Sequence, residues 1–256
     1  ERLQGRALTG AKLPNKAADP ITVHPDVRRM LWTQKAVTEG MRALTMETAL
    51  RLDLSHRHSD AKLREKADDF VQLMTPIVKG YQTDMGFEMA SLGVQILGGY
   101  GYIEEYGMAQ YMRDARIAMI YEGTNGVQAM DLVARKMMDG GEAANRLLDE
   151  VEADSEAARE MYPNMSEAVW QASETMREAT EWLTKQKELN TRFAGAVPYL
   201  RAFARVLGGH LHLKAAMAGK DTHREVLARF YIQRLLPEHA SLLAHAQAGE
   251  ADLFAM

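Results

Sequence analysis

Residues 25–53 read PDVRRMLWTQKAVTEGMRALTMETALRLD and give the clearest indication of local structure in the chain. Pro25 and Asp26 suit the first turn of a helix, where the missing proline N–H costs nothing and an acid meets the positive end of the helix dipole. Apolar residues then follow at helical spacing, with no further proline: Val27, Met30, Leu31, Val37, Met41 and Leu44. This pattern predicts one long amphipathic helix that ends before SHRHSD at 55–60.

Helical periodicity continues through the rest of the chain, and no strand pattern is present. A loop is expected at 7–24, before the first long helix. A second long helix is expected from Asp60 to Gly98, with a kink at Pro76. Further helices are predicted at 108–120, 125–138, 165–187, 196–218 and 222–247. Long helices joined by short turns predict an all-α fold, an antiparallel helical bundle followed by a second helical bundle.

Asp139-Gly140-Gly141 is the most convincing boundary between these bundles. It divides the chain into a first domain at 1–138 and a second at 139–256. The acidic stretch EVEADSEAAREM at 150–161 is interpreted as a connection between the two helical units.

Composition excludes several classes of protein. The 256 residues carry a net charge of −4 and no cysteine, which rules out disulfides, cysteine-ligated metals and a basic surface for nucleic acid. No run of eighteen apolar residues occurs, so a membrane span is not expected. The lack of cysteine is compatible with a bacterial-type cytoplasm. Because the chain starts with Glu1 in what reads as the tail of a helix, we expect an amino-terminal part, with any targeting signal, to be missing.

Two short glycine-containing stretches are candidate sites. GGYGY at 98–102 follows a helix and lacks the G-x-G-x-x-G spacing, so a helix C-cap is the favoured interpretation, although its backbone N–H groups could still bind phosphate. In IYEGTNGVQ at 120–128, Glu122 lies among apolar neighbours, which would desolvate a catalytic base and raise its pKa. An exposed loop carboxylate is the alternative. The histidines form no metal-binding motif, and no metal site is predicted.

The stretch QILGGYGYIEEYGMAQYMRDARIAMIYEGTNGVQ at 95–128 resembles the carboxy-terminal domain of acyl-CoA dehydrogenases. The resemblance rests on Q-x-x-G-G-x-G-[YF], M-R-D-A and I-Y-E-G-T, in that order, and on ERLQGR at 1–6. It covers residues 1 to about 138. The remainder is similar to the extra helical domain of larger members, including the 3-methylmercaptopropionyl-CoA dehydrogenase-like branch, through ARFYIQRLLPEHASLLAHAQAG at 228–249.

This resemblance implies an FAD-dependent enzyme that oxidises acyl-CoA to trans-2-enoyl-CoA. Glu122 corresponds to the base that takes the α-proton while a hydride passes to flavin N5. The backbone N–H of Glu122 and a flavin ribityl hydroxyl would stabilise the thioester oxygen. Gly123 corresponds to a substrate contact. The positions that correspond to FAD contacts, some of them toward a neighbouring subunit, are Arg2, Gln4, Gln95, Gly98, Gly99, Thr124, Asn125 and Gly126.

Some features depart from the family pattern. Gly5-Arg6 replaces the usual aromatic-glycine pair, and Gly126 lies where many members carry a side-chain amide. The amino-terminal and middle domains, which supply most flavin and CoA contacts, are absent, so we expect the isolated chain to bind FAD poorly and to be inactive.

The resemblance also implies partners: an acyl-CoA substrate, an electron-transfer flavoprotein as electron acceptor, and further copies of the chain in a homodimer or tetramer. Two alternatives remain open. One is an acyl-CoA oxidase that passes electrons to O₂, and the other is a non-enzymatic helical assembly module. The extra domain could enlarge a dimer interface or shape the acyl pocket.

Overall fold

The computed structural model describes residues 2–219 and 221–255. Within these ranges the chain is helical, and its sole β-type pairing is an isolated bridge between Leu3 and Pro20. The all-α prediction is confirmed. The helices are α1 (Pro25–Arg57), α2 (Ala61–Leu97), α3 (Gly99–Tyr102), α4 (Met108–Ile117), α5 (Asn125–Val133), α6 (Glu142–Ala158), α7 (Pro163–Lys185), α8 (Leu189–Ala194), α9 (Ala196–Ala218), α10 (Thr222–Arg234) and α11 (Glu238–Ala246).

Helices α1 and α2 form a long antiparallel hairpin that is the frame of the first half of the chain. Pro25 occupies the first turn of α1 as predicted, and the Asp60 side chain caps α2 by accepting a hydrogen bond of 2.8 Å from the Lys62 N–H. Helix α2 continues through the buried Pro76 to Leu97, and Gly98 ends it.

Several of the predicted boundaries are wrong. The acidic stretch at 150–161 is mostly helical and belongs to α6, because Leu147, Leu148 and Val151 lie on a buried face while the acids take the other faces. The single helix predicted at 222–247 is two helices, α10 and α11, with Pro237 at the break. Proline lacks the N–H that a continuous helix would need there. Helix α1 continues into SHRHSD and ends at Arg57, later than predicted, whereas α4 and α5 end earlier than predicted.

Helix α9 lies at the centre of the molecule and joins the two halves of the chain. It packs against α1, α2 and α5 from the first half and against α6, α7, α10 and α11 from the second. Its fully buried Tyr199 and Phe203 belong to the same hydrophobic core as Ile77 and Leu132. A turn does occur at the predicted boundary, where the Asp139 carboxylate accepts hydrogen bonds from the N–H groups of Gly141 and Ala143. The division into two domains stays a prediction.

The contact between α9 and α1 includes a buried histidine that makes stability depend on pH. His212 is 5% exposed and its Nε2 donates to the Ala36 carbonyl oxygen at 2.9 Å. Burial lowers the pKa of His212, an effect reinforced by Arg224 and opposed by the Ala36 carbonyl and Glu39. Because the folded protein resists protonation, this contribution to stability is complete above the unfolded pKa of about 6.5 and is lost as the pH falls below it.

We therefore expect the free energy of unfolding to fall between pH 7 and pH 5. His212→Gln, which keeps an N–H donor for the Ala36 carbonyl but does not titrate, should flatten this dependence. The measurement is urea unfolding at several pH values, with His56→Gln in the exposed end of α1 as the matched control. An unchanged pH slope in His212→Gln would contradict the assignment.

Candidate functional site

Glu122 lies in a tight turn between α4 and α5 with an unusual backbone conformation. Its φ angle is 53°, and Gly123 follows with a φ of 80°, so two successive residues are left-handed. Among the described residues Glu122 is the one non-glycine residue with positive φ. A side chain in this region costs about 1–2 kcal/mol. Such strain is concentrated at functional sites, so the turn is a candidate site on geometric grounds.

The side chain of Glu122 is exposed, and so are its apolar neighbours. Ile117, Ile120 and Tyr121 are 59%, 47% and 51% exposed. The expectation that these neighbours bury Glu122 is therefore wrong for this chain, because they are themselves about half exposed and Glu122 stays exposed beside them. Any desolvation of Glu122 must come from a molecule or a domain that packs on this face.

In this turn two backbone carbonyl groups accept hydrogen bonds from side chains, whereas the Glu122 N–H donates none to a described residue. The Glu122 carbonyl accepts a hydrogen bond from Gln128 Nε2 at 3.4 Å, and the Gly123 carbonyl accepts one from Lys79 Nζ at 2.7 Å. The Glu122 N–H donates no hydrogen bond within the part of the chain that the structure describes. A free N–H beside a carboxylate is suited to stabilise negative charge on a reacting oxygen.

The residues after Glu122 begin helix α5. Thr124 caps the helix, since its Oγ1 accepts a hydrogen bond from the Val127 N–H at 3.4 Å. Gly126 lies in the first turn, where an added Cβ would be 3.8 Å from Thr124 Oγ1. The Asn125 side chain faces α2 rather than the exposed surface. Thr124, Asn125 and Gly126 thus adjoin Glu122, and their contact with a cofactor stays a prediction.

A second group of candidate residues meets at the carboxyl end of α2. Arg2 Nη2 donates to Gln4 Oε1 at 2.7 Å, and the Arg2 guanidinium lies 4.5 Å from the ring centre of Tyr100. Arg2 Nη2 is also 3.7 Å from the position that a Cβ on Gly98 would take. The structure therefore brings the first residues of the chain against the GGYGY turn. The loop holds them there, with the Arg2 carbonyl accepting a hydrogen bond from the Ile21 N–H at 3.0 Å.

Gly98 is a helix C-cap, as its position after α2 suggested. Its φ of 61° and ψ of −142° are open to glycine but not to side-chain-bearing residues. Its N–H donates to the Gln95 carbonyl at 3.1 Å, so this donor is used within the turn. Gln95 and Gly99 are exposed beside it. The cap explains the turn, whereas a phosphate contact there stays a prediction.

The surroundings of Arg2 fit an anionic group. The acceptor of its side-chain hydrogen bonds is the neutral Gln4 amide, and its buried Nη1 atom has no hydrogen-bond partner among the described residues. A guanidinium held against an exposed glycine turn, with no carboxylate partner in the part of the chain that the structure describes, is suited to a phosphate. The pyrophosphate of a dinucleotide cofactor such as FAD has this chemistry.

Sequence reasoning missed three residues of α2 that contact the Glu122 turn, namely Lys79, Thr83 and Asp84. A signal existed for Asp84, which lies seven residues after Ile77 and three after Tyr81, on the buried face of the helix. An acid at such a position needs a partner. No pattern pointed to Lys79.

The residues described form neither a metal-binding group nor a membrane-spanning helix. No group of three or more histidine, aspartate and glutamate side chains has a metal-binding arrangement in residues 2–219 and 221–255. No helix in the same ranges is long and apolar enough to cross a membrane.

Comparison with known families decides the identity of the fold. The model of the acyl-CoA dehydrogenase carboxy-terminal domain matches residues 2–138. The chain belongs to the acyl-CoA dehydrogenase family. A second model, described as acetyl-CoA dehydrogenase C-terminal like, matches residues 147–256.

The alignments with two relatives cover most of this chain but less than half of each relative's length. The chain is 41% identical to a 3-methylmercaptopropionyl-CoA dehydrogenase of Ruegeria pomeroyi over 78% of this chain and 34% of the relative. It is 32% identical to a butyryl-CoA dehydrogenase of Syntrophomonas wolfei over 93% of this chain and 42% of the relative. The chain thus spans between a third and a half of the length of these relatives.

A solved structure has the same fold. Caenorhabditis elegans ACDH-11 in complex with C11-CoA superposes with a TM-score of 0.70 at 22% identity, over 86% of this chain and 38% of that one. At this identity the likeness shows the fold alone.

Proposed function

We propose that this chain is the carboxy-terminal portion of an FAD-dependent acyl-CoA dehydrogenase that converts acyl-CoA to trans-2-enoyl-CoA. The observation that carries the proposal is Glu122, a carboxylate in a left-handed turn, exposed and beside its own free N–H. The turn lies in the I-Y-E-G-T motif of a chain that belongs to this family.

In this proposal Glu122 removes a proton from the α-carbon of the thioester. That proton is only weakly acidic, so the carboxylate must be held at attacking distance and shielded from water. The negative charge that develops on the thioester oxygen is stabilised by the Glu122 N–H, which is free to donate. Gly123, the proposed substrate contact, has a φ of 80°, a conformation that glycine adopts without strain. Bound FAD supplies the hydride acceptor.

The exposed face around Glu122 gives the remaining domains of the full-length enzyme a role. Ile117, Ile120 and Tyr121 form an apolar rim around the carboxylate that this chain leaves open. We propose that the amino-terminal and middle domains, with flavin and substrate, cover this rim and desolvate Glu122. The isolated chain would accordingly bind FAD poorly and be inactive.

The flavin contacts fall into two separate turns. Thr124, Asn125 and Gly126 would meet the flavin that serves Glu122. The second set, at the end of α2, would reach the FAD of a neighbouring subunit in a homodimer or tetramer, and consists of Arg2, Gln4, Gln95, Gly98 and Gly99. The Arg2 guanidinium, whose Nη1 has no hydrogen-bond partner among the described residues, supports this role toward pyrophosphate. An electron-transfer flavoprotein would take up the electrons.

A short acyl chain is the proposed substrate class. The names of the relatives from Ruegeria pomeroyi and Syntrophomonas wolfei specify 3-methylmercaptopropionyl-CoA and butyryl-CoA, both short thioesters. The test is an anaerobic titration of the full-length protein with acyl-CoAs of increasing length, followed by visible flavin absorbance. Bleaching by the short members is the expected result.

The other results of this titration separate the alternatives. A protein with flavin that no acyl-CoA reduces would overturn the dehydrogenase proposal. A full-length protein without flavin would favour a helical assembly module. Bleaching followed by peroxide formation in air would identify an oxidase that uses O₂.

We expect Arg2→Gln to weaken FAD binding by the full-length protein. A hydrogen bond to a charged group contributes about 1.5–3 kcal/mol, which corresponds to a tenfold to hundredfold rise in the Kd for FAD. The measurement is the flavin-to-protein ratio after dialysis against graded FAD. Arg42→Gln, on the exposed face of α1, removes the same charge elsewhere and should leave the ratio unchanged. Equal ratios in both variants would refute the Arg2 assignment.

A further inference from the structure

Three polar side chains of α2 form hydrogen bonds with Asn125, the first residue of α5, which follows the Glu122 turn. These four side chains are here called the α2 latch: Lys79, Thr83, Asp84 and Asn125. We propose that the α2 latch positions Glu122 for proton abstraction, with Lys79, Asp84 and Asn125 as positioning residues. This inference rests on the proposed function of Glu122 as the base.

Asn125 is the centre of the latch and uses both ends of its amide. Its Nδ2 donates to the Asp84 carboxylate at 2.6 Å and to the Gly80 carbonyl at 3.0 Å. Its Oδ1 accepts a hydrogen bond from Lys79 Nζ at 2.8 Å. The amide therefore bridges a buried anion and a cation with its dipole aligned to both charges. The opposite amide orientation would turn Oδ1 toward the carboxylate and the NH₂ group toward the ammonium, which excludes it.

Lys79 extends the latch to the backbone of the turn. Its Nζ donates to the Gly123 carbonyl at 2.7 Å as well as to Asn125. Gly123 follows Glu122 directly, and both residues have left-handed backbone conformations. The ammonium thus holds the peptide between Gly123 and Thr124, one peptide beyond Glu122, and so restrains the carboxyl side of the turn that carries the base.

The residues of the α2 latch lie on the inner side of the Glu122 turn, away from solvent. Asp84 is 8% exposed, and Lys79, Thr83 and Asn125 are half-buried, whereas Glu122 is exposed. The other side-chain hydrogen bond to this turn, from Gln128 Nε2 to the Glu122 carbonyl, is longer at 3.4 Å. A strained conformation persists when the surrounding structure determines it, and here the α2 latch provides the shorter and charged contacts.

Positioning of this kind acts on the rate of the chemical step. A displacement of about 1 Å from the reactive geometry can reduce a rate about 100-fold. We therefore expect Lys79→Met to lower kcat about 10- to 100-fold, with little change in KM, flavin content or melting temperature. Lys79→Arg, which keeps a cationic donor, should restore most of the rate.

The experiment uses the full-length protein and has a second readout that does not depend on activity. Hydrogen–deuterium exchange of the 119–125 segment, measured by mass spectrometry, should be faster in Lys79→Met and in Asp84→Asn than in the wild type. Exchange in α1 should stay unchanged. Lys62→Met, an exposed lysine near the start of the same helix, is the matched control for both measurements.

The outcomes separate this inference from the proposed function. If the wild type reduces its flavin with acyl-CoA but Lys79→Met retains the wild-type kcat and exchange, the latch does not position Glu122. A parallel loss of melting temperature and flavin content, without a separate fall in kcat per bound flavin, would show a merely structural role. If no acyl-CoA reduces the wild type, the proposed function fails, while the exchange data still report whether the latch holds the turn.

Discussion

Replacement of Glu122 by Gln is expected to lower the rate of acyl-CoA oxidation about 10²- to 10⁴-fold in the full-length enzyme. This is the usual contribution of a positioned general base, and an amide of nearly the same size cannot accept the α-proton. The measurement is the rate of flavin bleaching after anaerobic mixing with a saturating short acyl-CoA. Flavin content should stay at the wild-type level, because Glu122 is assigned to the substrate and not to the cofactor.

The matched control is Glu105→Gln, which removes an exposed carboxylate from the short 3-10 helix before α4. It should leave the bleaching rate unchanged. Glu122→Gly adds a structural check, because glycine adopts a φ of 53° without strain and should stabilise the folded chain by about 1 kcal/mol while abolishing turnover. Wild-type turnover in Glu122→Gln would eliminate this residue as the base.

Replacement of Arg205 by Met is expected to cause the largest loss of stability. Arg205 is 6% exposed, and its guanidinium donates to Glu238 Oε2 at 2.7 Å and to the Tyr81 hydroxyl at 3.0 Å. Methionine cannot make these hydrogen bonds, and the buried Tyr81 hydroxyl loses this partner. Because the Glu238 carboxylate is exposed and water can solvate it, we expect a loss of about 1.5–3 kcal/mol of unfolding free energy, the contribution of a hydrogen bond to a charged group.

Urea unfolding of this chain measures the effect, with Arg229→Met as the control. Arg229 forms an exposed ion pair with Glu225 on α10, and such pairs contribute at most about 1 kcal/mol. Equal losses in the two variants would contradict the role of Arg205. Tyr81 lies in the first half of the chain, whereas Arg205 and Glu238 lie in the second, so the hydrogen bond from Arg205 to Tyr81 is part of what joins the halves.

Periodicity and local chemistry were sufficient for the two longest helices and for the location of the Glu122 turn. The apolar spacing in α1 and α2, the first-turn proline at 25 and the glycine at 98 all act within a few residues of the backbone they control. The same local character explains the failures. The acids of 150–161 concealed a buried face of α6, and the apolar pattern of 222–247 concealed the break at Pro237.

The sequence by itself therefore determined an all-α chain, the ends of α2 and a glutamate placed in a turn between two helices. Only the tertiary structure decided that α9 unites both halves in one core, that Arg2 meets Gly98, and that Glu122 is exposed. The same holds for the contact of Lys79 with Gly123. Periodicity shows which face of a helix is buried, but it does not show which distant residue that face will meet. Such contacts depend on how the helices pack.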